Sequence, residues 1–316
     1  MKLILAGAGA FGIKHLEGLQ RIDRVDVIAV VDPREDLSAA AAEKFGVSET
    51  FTDLGAALKL PDTDAVILAT PTPVHAEQAI RCMQAGKHVE IEIPLADNWA
   101  DAQAVMAAQK ASGKTCMVGH TRRFNPPHQW VNQRLRNGEL HIQQIDVQTY
   151  FFRRKNMNAL GEPRSWTDHL LWHHAAHAID LFIYQTGEKV VQAKAIQGPI
   201  HPGLGIAMDM SIQLKTEGGA ILTLSLSFNN DGPFGSFFRY ICDNGTYIAR
   251  YDDLVTGREE VIDVSRLDVS NNGIELQDRE FVAAIREGRE PNASVAKVLE
   301  CYRVMDELER QLNNSN

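Results

Sequence analysis

The sequence predicts two domains of different class: a doubly wound α/β domain over residues 1–120 and an α+β domain with a mostly antiparallel sheet over residues 121–316. Three observations predict this. Short continuous apolar runs alternate with helical patterns up to about residue 120. A glycine loop, "GAGAFG", follows the first of those runs. Beyond residue 121 the pattern changes to strict alternation of apolar and polar residues. A chain of 316 residues also exceeds the usual size of one small core.

In the first domain "KLILAG", "VDVIAVVD", "DAVILAT", "KHVEIEI" and "KTCMVG" read as buried strands. Helices are expected near 11–21, 34–45, 53–60, 74–85 and 97–112. Continuous apolar runs mean strands covered on both faces, and right-handed crossovers then build a parallel sheet. Gly7, Gly9 and Gly12 have G-x-G-x-x-G spacing, with Ala10 and Phe11 completing the loop. Gly7 allows a tight turn, Gly9 a close backbone approach to a pyrophosphate, and Gly12 close helix–strand packing. The helix N-terminus offers unpaired N–H groups to phosphate. Asp32 ends the next strand, 20 residues past Gly12. Strand, loop, helix and acid together predict a Rossmann dinucleotide site. Asp32 would accept from ribose hydroxyls and favours NAD. Arg34 would pair with the extra phosphate of NADP. In "ATPTPVHAEQA", the steps Thr70-Pro71 and Thr72-Pro73 bend the chain at a strand's C-terminal end, where ligands bind, and Pro73 opens the following helix. Thr70, Pro71 and His75 are candidate cofactor contacts, with helix-start packing the alternative for His75.

In the second domain "QQIDVQTYFF", "VVQAKAIQ", "MDMSIQLK", "AILTLSLSF", "FFRYICD" and "TYIARYD" alternate with period two. Helices are expected near 272–287 and 294–312. The stretch "DHLLWHHAAHAID" carries His169, His173, His174 and His177, within a helix expected over about 168–186. On such a helix His173 and His177 share a face, and His174 lies about 100° round. Asp180, three residues on, would hold the His177 ring. A His-x-x-x-His pair binds zinc in some proteins, but no third ligand is suggested by spacing, so no metal is expected. Core histidines are the remaining alternative.

The net charge of −9, without basic runs, argues against nucleic acid and anionic membranes as partners. No apolar stretch is long enough to span a bilayer. The scattered cysteines Cys82, Cys116, Cys242 and Cys301 fit reduced thiols of a cytoplasmic protein.

"GAGAFG", "TPTPVHAEQA" and "AGKHVEIEIPLA" resemble the glucose–fructose oxidoreductase/inositol dehydrogenase (Gfo/Idh/MocA) family. The resemblance implies a nucleotide domain followed by an open, largely antiparallel sheet domain; the less apolar face of the alternating strands would be covered by the same sheet of a second copy in a homodimer. The family's Glu-Lys-Pro motif reads Glu92, Ile93, Pro94 here. The lysine that assists proton transfer is missing, while Glu92 and Pro94 would still shape the wall near the nicotinamide. Residue for residue, His177 falls on the family's proton acceptor, and His173 on an aspartate. "VGHTRRFNP", "LSFNNDGP" and the histidine stretch resemble a subgroup that oxidises a cyclic dicarboxylate hemiacetal in bacterial aromatic catabolism, usually with NADP. This implies His177 as general base with His173 as its partner. Arginine forks suit such a substrate. Arg122–Arg123 and Arg153–Arg154 follow strands, and one member of each pair is expected to serve. Arg164, His174 and Trp166 are further candidates.

Overall fold

Strand β1 (Lys2–Ala6) is almost wholly buried, because both of its faces are covered. It lies near the middle of a six-stranded parallel sheet in the computed structural model, which describes residues 1–157, 161–164, 166–265 and 273–314. Its other strands are β2 (Asp26–Val31), β3 (Glu49–Phe51), β4 (Ala65–Leu68), β5 (His88–Ile91) and β6 (Cys116–Val118). The order β3-β2-β1-β4-β5-β6 is that of a doubly wound dinucleotide fold. Helices α1 (Ala10–Leu19), α2 (Glu35–Phe45), α3 (Leu54–Ala57), α4 (His75–Gln84) and α5 (Trp99–Ser112) occur near the expected positions. Strand β3 was not legible, because Glu49-Thr50-Phe51 is a short, largely exposed edge without an apolar run.

The second sheet has seven strands: β7 (Ile142–Tyr150), β8 (Val190–Gln197), β9 (Asp209–Thr216), β10 (Ile221–Ser227), β11 (Gly235–Cys242), β12 (Gly245–Arg250) and β13 (Asp253–Thr256). The order is β13-β12-β11-β7-β10-β9-β8. All neighbours are antiparallel except β7 and β10, which run parallel. Leu222, Leu224 and Leu226 point into the core with Ile145, Val147, Phe238 and Tyr240. Trp172, Phe182 and Tyr302 are also fully buried. Helix α6 (Pro126–Arg136) was missed: Pro126 and Pro127 look like breakers but occupy the first helical turn, where a missing N–H costs nothing. The expected helix over 168–186 is a π-helical turn, Leu170–Ala175, continued by α7 (Ala176–Thr186).

The chain divides into two compact units, Met1–Thr121 with Asn272–Leu299, and Arg122–Asn271 with Glu300–Asn316. Helix α8 (Gly273–Glu287), assigned by the sequence pattern to the second domain, is part of the first unit. Helix α9 (Val295–Asn314) begins in the first unit and ends in the second. No helix among the described residues is long and apolar enough to cross a membrane.

Candidate active site

The glycine loop joins β1 to α1. Gly7 has φ +98°, and a Cβ there would strike the Ala69 carbonyl. A Cβ on Gly12 would strike the Gly7 carbonyl. These two glycines are therefore required by the protein's own backbone. Gly9 differs: nothing lies within 4 Å of a Cβ built on it. It is the N-cap of α1, with no side-chain cap and no acid in the first turn. An open approach to uncapped N–H groups is what a pyrophosphate needs, so the loop fits a dinucleotide. Gly9, Ala10 and Phe11 are exposed there.

Asp32 braces this loop, its Oδ2 accepting from the Ala8 N–H (2.8 Å) and its Oδ1 from the Arg34 N–H (2.9 Å). The Arg34 guanidinium pairs with Asp36 (2.8 Å) on the surface. Beyond β4, the Thr70 hydroxyl donates to Gln78 (2.7 Å), and Pro71 is exposed. His75 is buried rather than presented to a ligand. Its Nδ1 lies 2.8 Å from the Pro94 carbonyl and its Nε2 2.7 Å from the Thr70 carbonyl, clasping the loops after β4 and β5. Burial pushes its pKa below the ordinary imidazole value, although both carbonyls oppose this. Glu92 also turns inward. Its Oε1 meets His15 Nε2 (3.2 Å) and accepts from Gln277 Nε2 (3.0 Å). Its carboxylate thus ties β5 to α1 and α8, which is a change from the wall position expected of it.

In the second unit, the π turn and the start of α7 leave His173, His174 and His177 partly exposed, while Leu171, Trp172, Ala175 and Ala176 are buried. A π turn is wound more loosely than an α turn. Residues four apart across it lie closer to eclipsed than in a regular helix, which keeps His173 and His177 on one face. Such turns recur at functional sites. Trp166 stacks on His173, with ring centroids 5.2 Å apart and planes 24° apart, and His169 meets the His173 ring edge-on at 5.1 Å.

The arginine pairs are separated by packing. Arg123 is buried, and its Nε (2.8 Å) and Nη2 (2.7 Å) donate to both carboxylate oxygens of Asp180. This ion pair takes Arg123 from the substrate-binding candidates and gives Asp180 a partner that the sequence did not suggest. Arg122 lies over Phe238 at 6.0 Å. Arg153 lies over Phe228 at 4.4 Å and pairs with Asp168. Arg164 donates to the same Asp168 oxygen (3.0 Å) and lies 5.5 Å from the Trp166 ring. His174 Nε2 is 3.3 Å from the other Asp168 oxygen, and its ring meets Phe151 and Phe228. Burial, then Arg153 and Arg164, push the His174 pKa down to about 3, so this ring is neutral. Burial, then Arg164, push Arg153 down to about 10. Arg154 instead donates to the Phe228 carbonyl (3.2 Å) and Asn229 (3.0 Å). Two guanidinium groups thus share one buried carboxylate beside the histidine segment and leave an excess positive charge suited to an anion.

Asp168, which joins this cluster, was missed by sequence reasoning, though its spacing of four from Arg164 was a usable signal. Among the described residues no group of three or more His, Cys, Asp or Glu side chains is placed to hold a metal ion.

Comparison with known proteins agrees with this architecture. Residues 1–120 match the Gfo/Idh/MocA oxidoreductase family with its NAD-binding Rossmann fold, and residues 126–268 match the C-terminal domain of bacterial oxidoreductases. The 4-carboxy-2-hydroxymuconate-6-semialdehyde dehydrogenase of Sphingobium sp. strain SYK-6 is 70% identical over 312 residues, covering 99% of both chains. The chain belongs to the Gfo/Idh/MocA oxidoreductase family. The myo-inositol 2-dehydrogenase of Thermotoga maritima is 32% identical over 44% of this chain and 42% of its own. An oxidoreductase from Agrobacterium radiobacter, solved with NAD+, L-tartaric acid and magnesium, superimposes with a TM-score of 0.85 at 18% identity, covering 100% of this chain and 97% of that one. That likeness shows the shared fold.

Proposed function

We propose that this dehydrogenase oxidises the cyclic hemiacetal of 4-carboxy-2-hydroxymuconate-6-semialdehyde to 2-pyrone-4,6-dicarboxylate, with NAD or NADP as acceptor. The observation that carries the reading is the cluster of Arg153, Arg164, Asp168 and His174 joined through Trp166 to His173. This cluster, with its excess positive charge, supports a carboxylate-binding role next to the histidines we assign to catalysis. The near-full-length relative of the same activity supports it.

The first unit holds the cofactor: the helix α1 N-terminus and Gly9 take the pyrophosphate, and Asp32 takes the adenosine ribose. When bound, the nicotinamide supplies the hydride acceptor. His177 takes the hemiacetal hydroxyl proton while the hydride leaves the same carbon, so the C–O bond closes to the lactone carbonyl. Neutral imidazole does this near neutral pH without large tuning. His173, held by Trp166, orients or relays. Arg153 and Arg164 bind a carboxylate and fix the ring. The lysine common in the family is replaced by Ile93, so the histidines carry the proton alone. That replacement also counts against a sugar or inositol substrate, and the same cluster counts against a regulator that merely senses the dinucleotide.

Asp32 and Arg34 pull cofactor choice in opposite directions, NAD through the carboxylate and NADP through the guanidinium. We further propose a homodimer through the outer face of the second sheet, where Ile196 and Ile221 are exposed beside a hydroxyl-rich surface. A cytoplasmic location accords with four free, buried thiols. The test is purified protein, authentic hemiacetal and each cofactor, followed at the reduced-nicotinamide absorbance band. Growth of that band supports the reading, and the ratio of kcat/KM for NADP and NAD assigns the cofactor. No growth with either, or faster turnover of inositols, overturns it.

A further inference from the structure

Arg122 is the arginine candidate left without an acceptor. Arg123 has Asp180, Arg153 and Arg164 have Asp168, and Arg154 has the Phe228 carbonyl and Asn229. The Arg122 guanidinium makes no hydrogen bond or ion pair among the described residues, and its Nε is fully buried without a partner. Its surroundings are aromatic. The Phe238 ring lies 6.0 Å away, with Tyr240 and Tyr251 nearby. His128 offers nothing, since its Nδ1 is 2.7 Å from the Tyr240 hydroxyl, and burial and Arg122 keep its ring neutral. Asp252 is the nearby carboxylate, yet it forms no ion pair with Arg122.

Arg122 is half-buried, but its Nε–H is shut off from water with no acceptor, and an anion seated on the guanidinium would supply one. Arg122 has the flat donor fork that matches a carboxylate. Phe238 under Arg122 and Phe228 under Arg153 both point from the buried face of the second sheet. Phe238 pairs with Val147 on β7, whose other neighbour is β10, the strand that leads into Phe228. The two cationic centres are therefore separate places on one face.

Resting on the dicarboxylate reading above, we infer that Arg122 is the counter-ion of the second carboxylate of the substrate, while Arg153 and Arg164 bind the first. Arg122 thereby decides between di- and monocarboxylate rings.

The test is binding of 2-pyrone-4,6-dicarboxylate and of the two 2-pyrone monocarboxylates (at position 4 and at position 6) to wild type, Arg122→Lys and Arg122→Met, by calorimetry on the full-length protein. Arg122→Met should weaken the dicarboxylate roughly 10–100-fold, weaken one monocarboxylate similarly and leave the other within about twofold. Arg122→Lys should fall between, keeping charge but losing the fork. Without ligand, Arg122→Met should melt at the same temperature as wild type or higher, because a buried donor without an acceptor has been removed. Equal losses for both monocarboxylates, no loss for either, or a lower melting temperature would each overturn the assignment. Failure of wild type to bind the dicarboxylate at all would instead overturn the substrate reading.

Discussion

Trp166 lies flat against His173, 5.2 Å between ring centroids, and on its other contact meets the Arg164 guanidinium at 5.5 Å. The arginine–Asp168 cluster and His173, proposed above for anion binding and catalysis, are therefore packed together through Trp166. His177→Asn should lower kcat roughly 10²–10⁴-fold with little change in KM. Trp166→Phe should keep the stack, whereas Trp166→Ala should loosen His173 and shift the pH–rate profile. Stopped-flow and steady-state kinetics across pH check both. Near-normal turnover of His177→Asn would reassign the base.

Asp168 holds Arg153, Arg164 and His174 at once. Asp168→Asn keeps the shape but removes the charge that cross-links the arginines. KM for the dicarboxylate should rise roughly tenfold with kcat within about threefold. His174→Asn should leave the pH–rate profile near neutrality in place, because the His174 ring is already neutral there. An unchanged KM for Asp168→Asn would remove its positioning role.

Gly7 and Gly9 separate folding from cofactor binding. Gly7→Ala meets a positive φ and the Ala69 carbonyl, and should cost about 1–3 kcal/mol or more, read as a lower melting temperature. The Cβ of Gly9→Val falls in open space, so this variant should melt normally while binding NAD and NADP at least about tenfold more weakly. Normal cofactor affinity of Gly9→Val would place the pyrophosphate elsewhere.

Stability should fall as pH rises. Glu90 is fully buried on β5, and neither of its carboxyl oxygens has a hydrogen-bond partner. Burial, then the Asp278 charge, push its pKa well above the usual carboxyl range. A raised folded-state pKa means the unfolded chain ionises first, so this stability is lost from about pH 4.5 upward. His15 adds to the trend. Burial alone would lower its pKa, but Asp278 (2.8 Å) and Glu92 (3.2 Å) outweigh that and hold it well above 6.5. Its stabilisation is complete below 6.5 and lost as pH rises through the raised value. Glu90→Gln should flatten the acid part of a melting-temperature profile between pH 5 and 9, and His15→Asn the alkaline part. Parallel profiles for wild type and both variants would refute the linkage.

Much of the fold was legible because it is written locally. Continuous apolar runs marked β1, β2, β4, β5 and β6, and alternation marked the strands around Leu222–Leu226. What escaped lacked a local pattern: the exposed edge β3, the proline-initiated α6, and the π turn that replaces the first part of the histidine helix. The site was partly legible. Its glycines and histidines stand in recognisable spacings, but spacing does not say which way Glu92 turns, or that His75 clasps two carbonyls.

By itself the sequence determined the parallel sheet with its glycine turn, the sheet of alternating strands, the missing lysine at position 93 and the kinds of side chain at hand. These depend on backbone geometry and on near neighbours along the chain. Only the tertiary structure decided that Arg123 belongs to Asp180, 57 residues away, that His15 belongs to Asp278, 263 residues away, and that the Arg122 Nε is buried without an acceptor. The reason is physical. A buried charge takes whichever partner folding brings within hydrogen-bond reach, and that is settled by how distant segments pack.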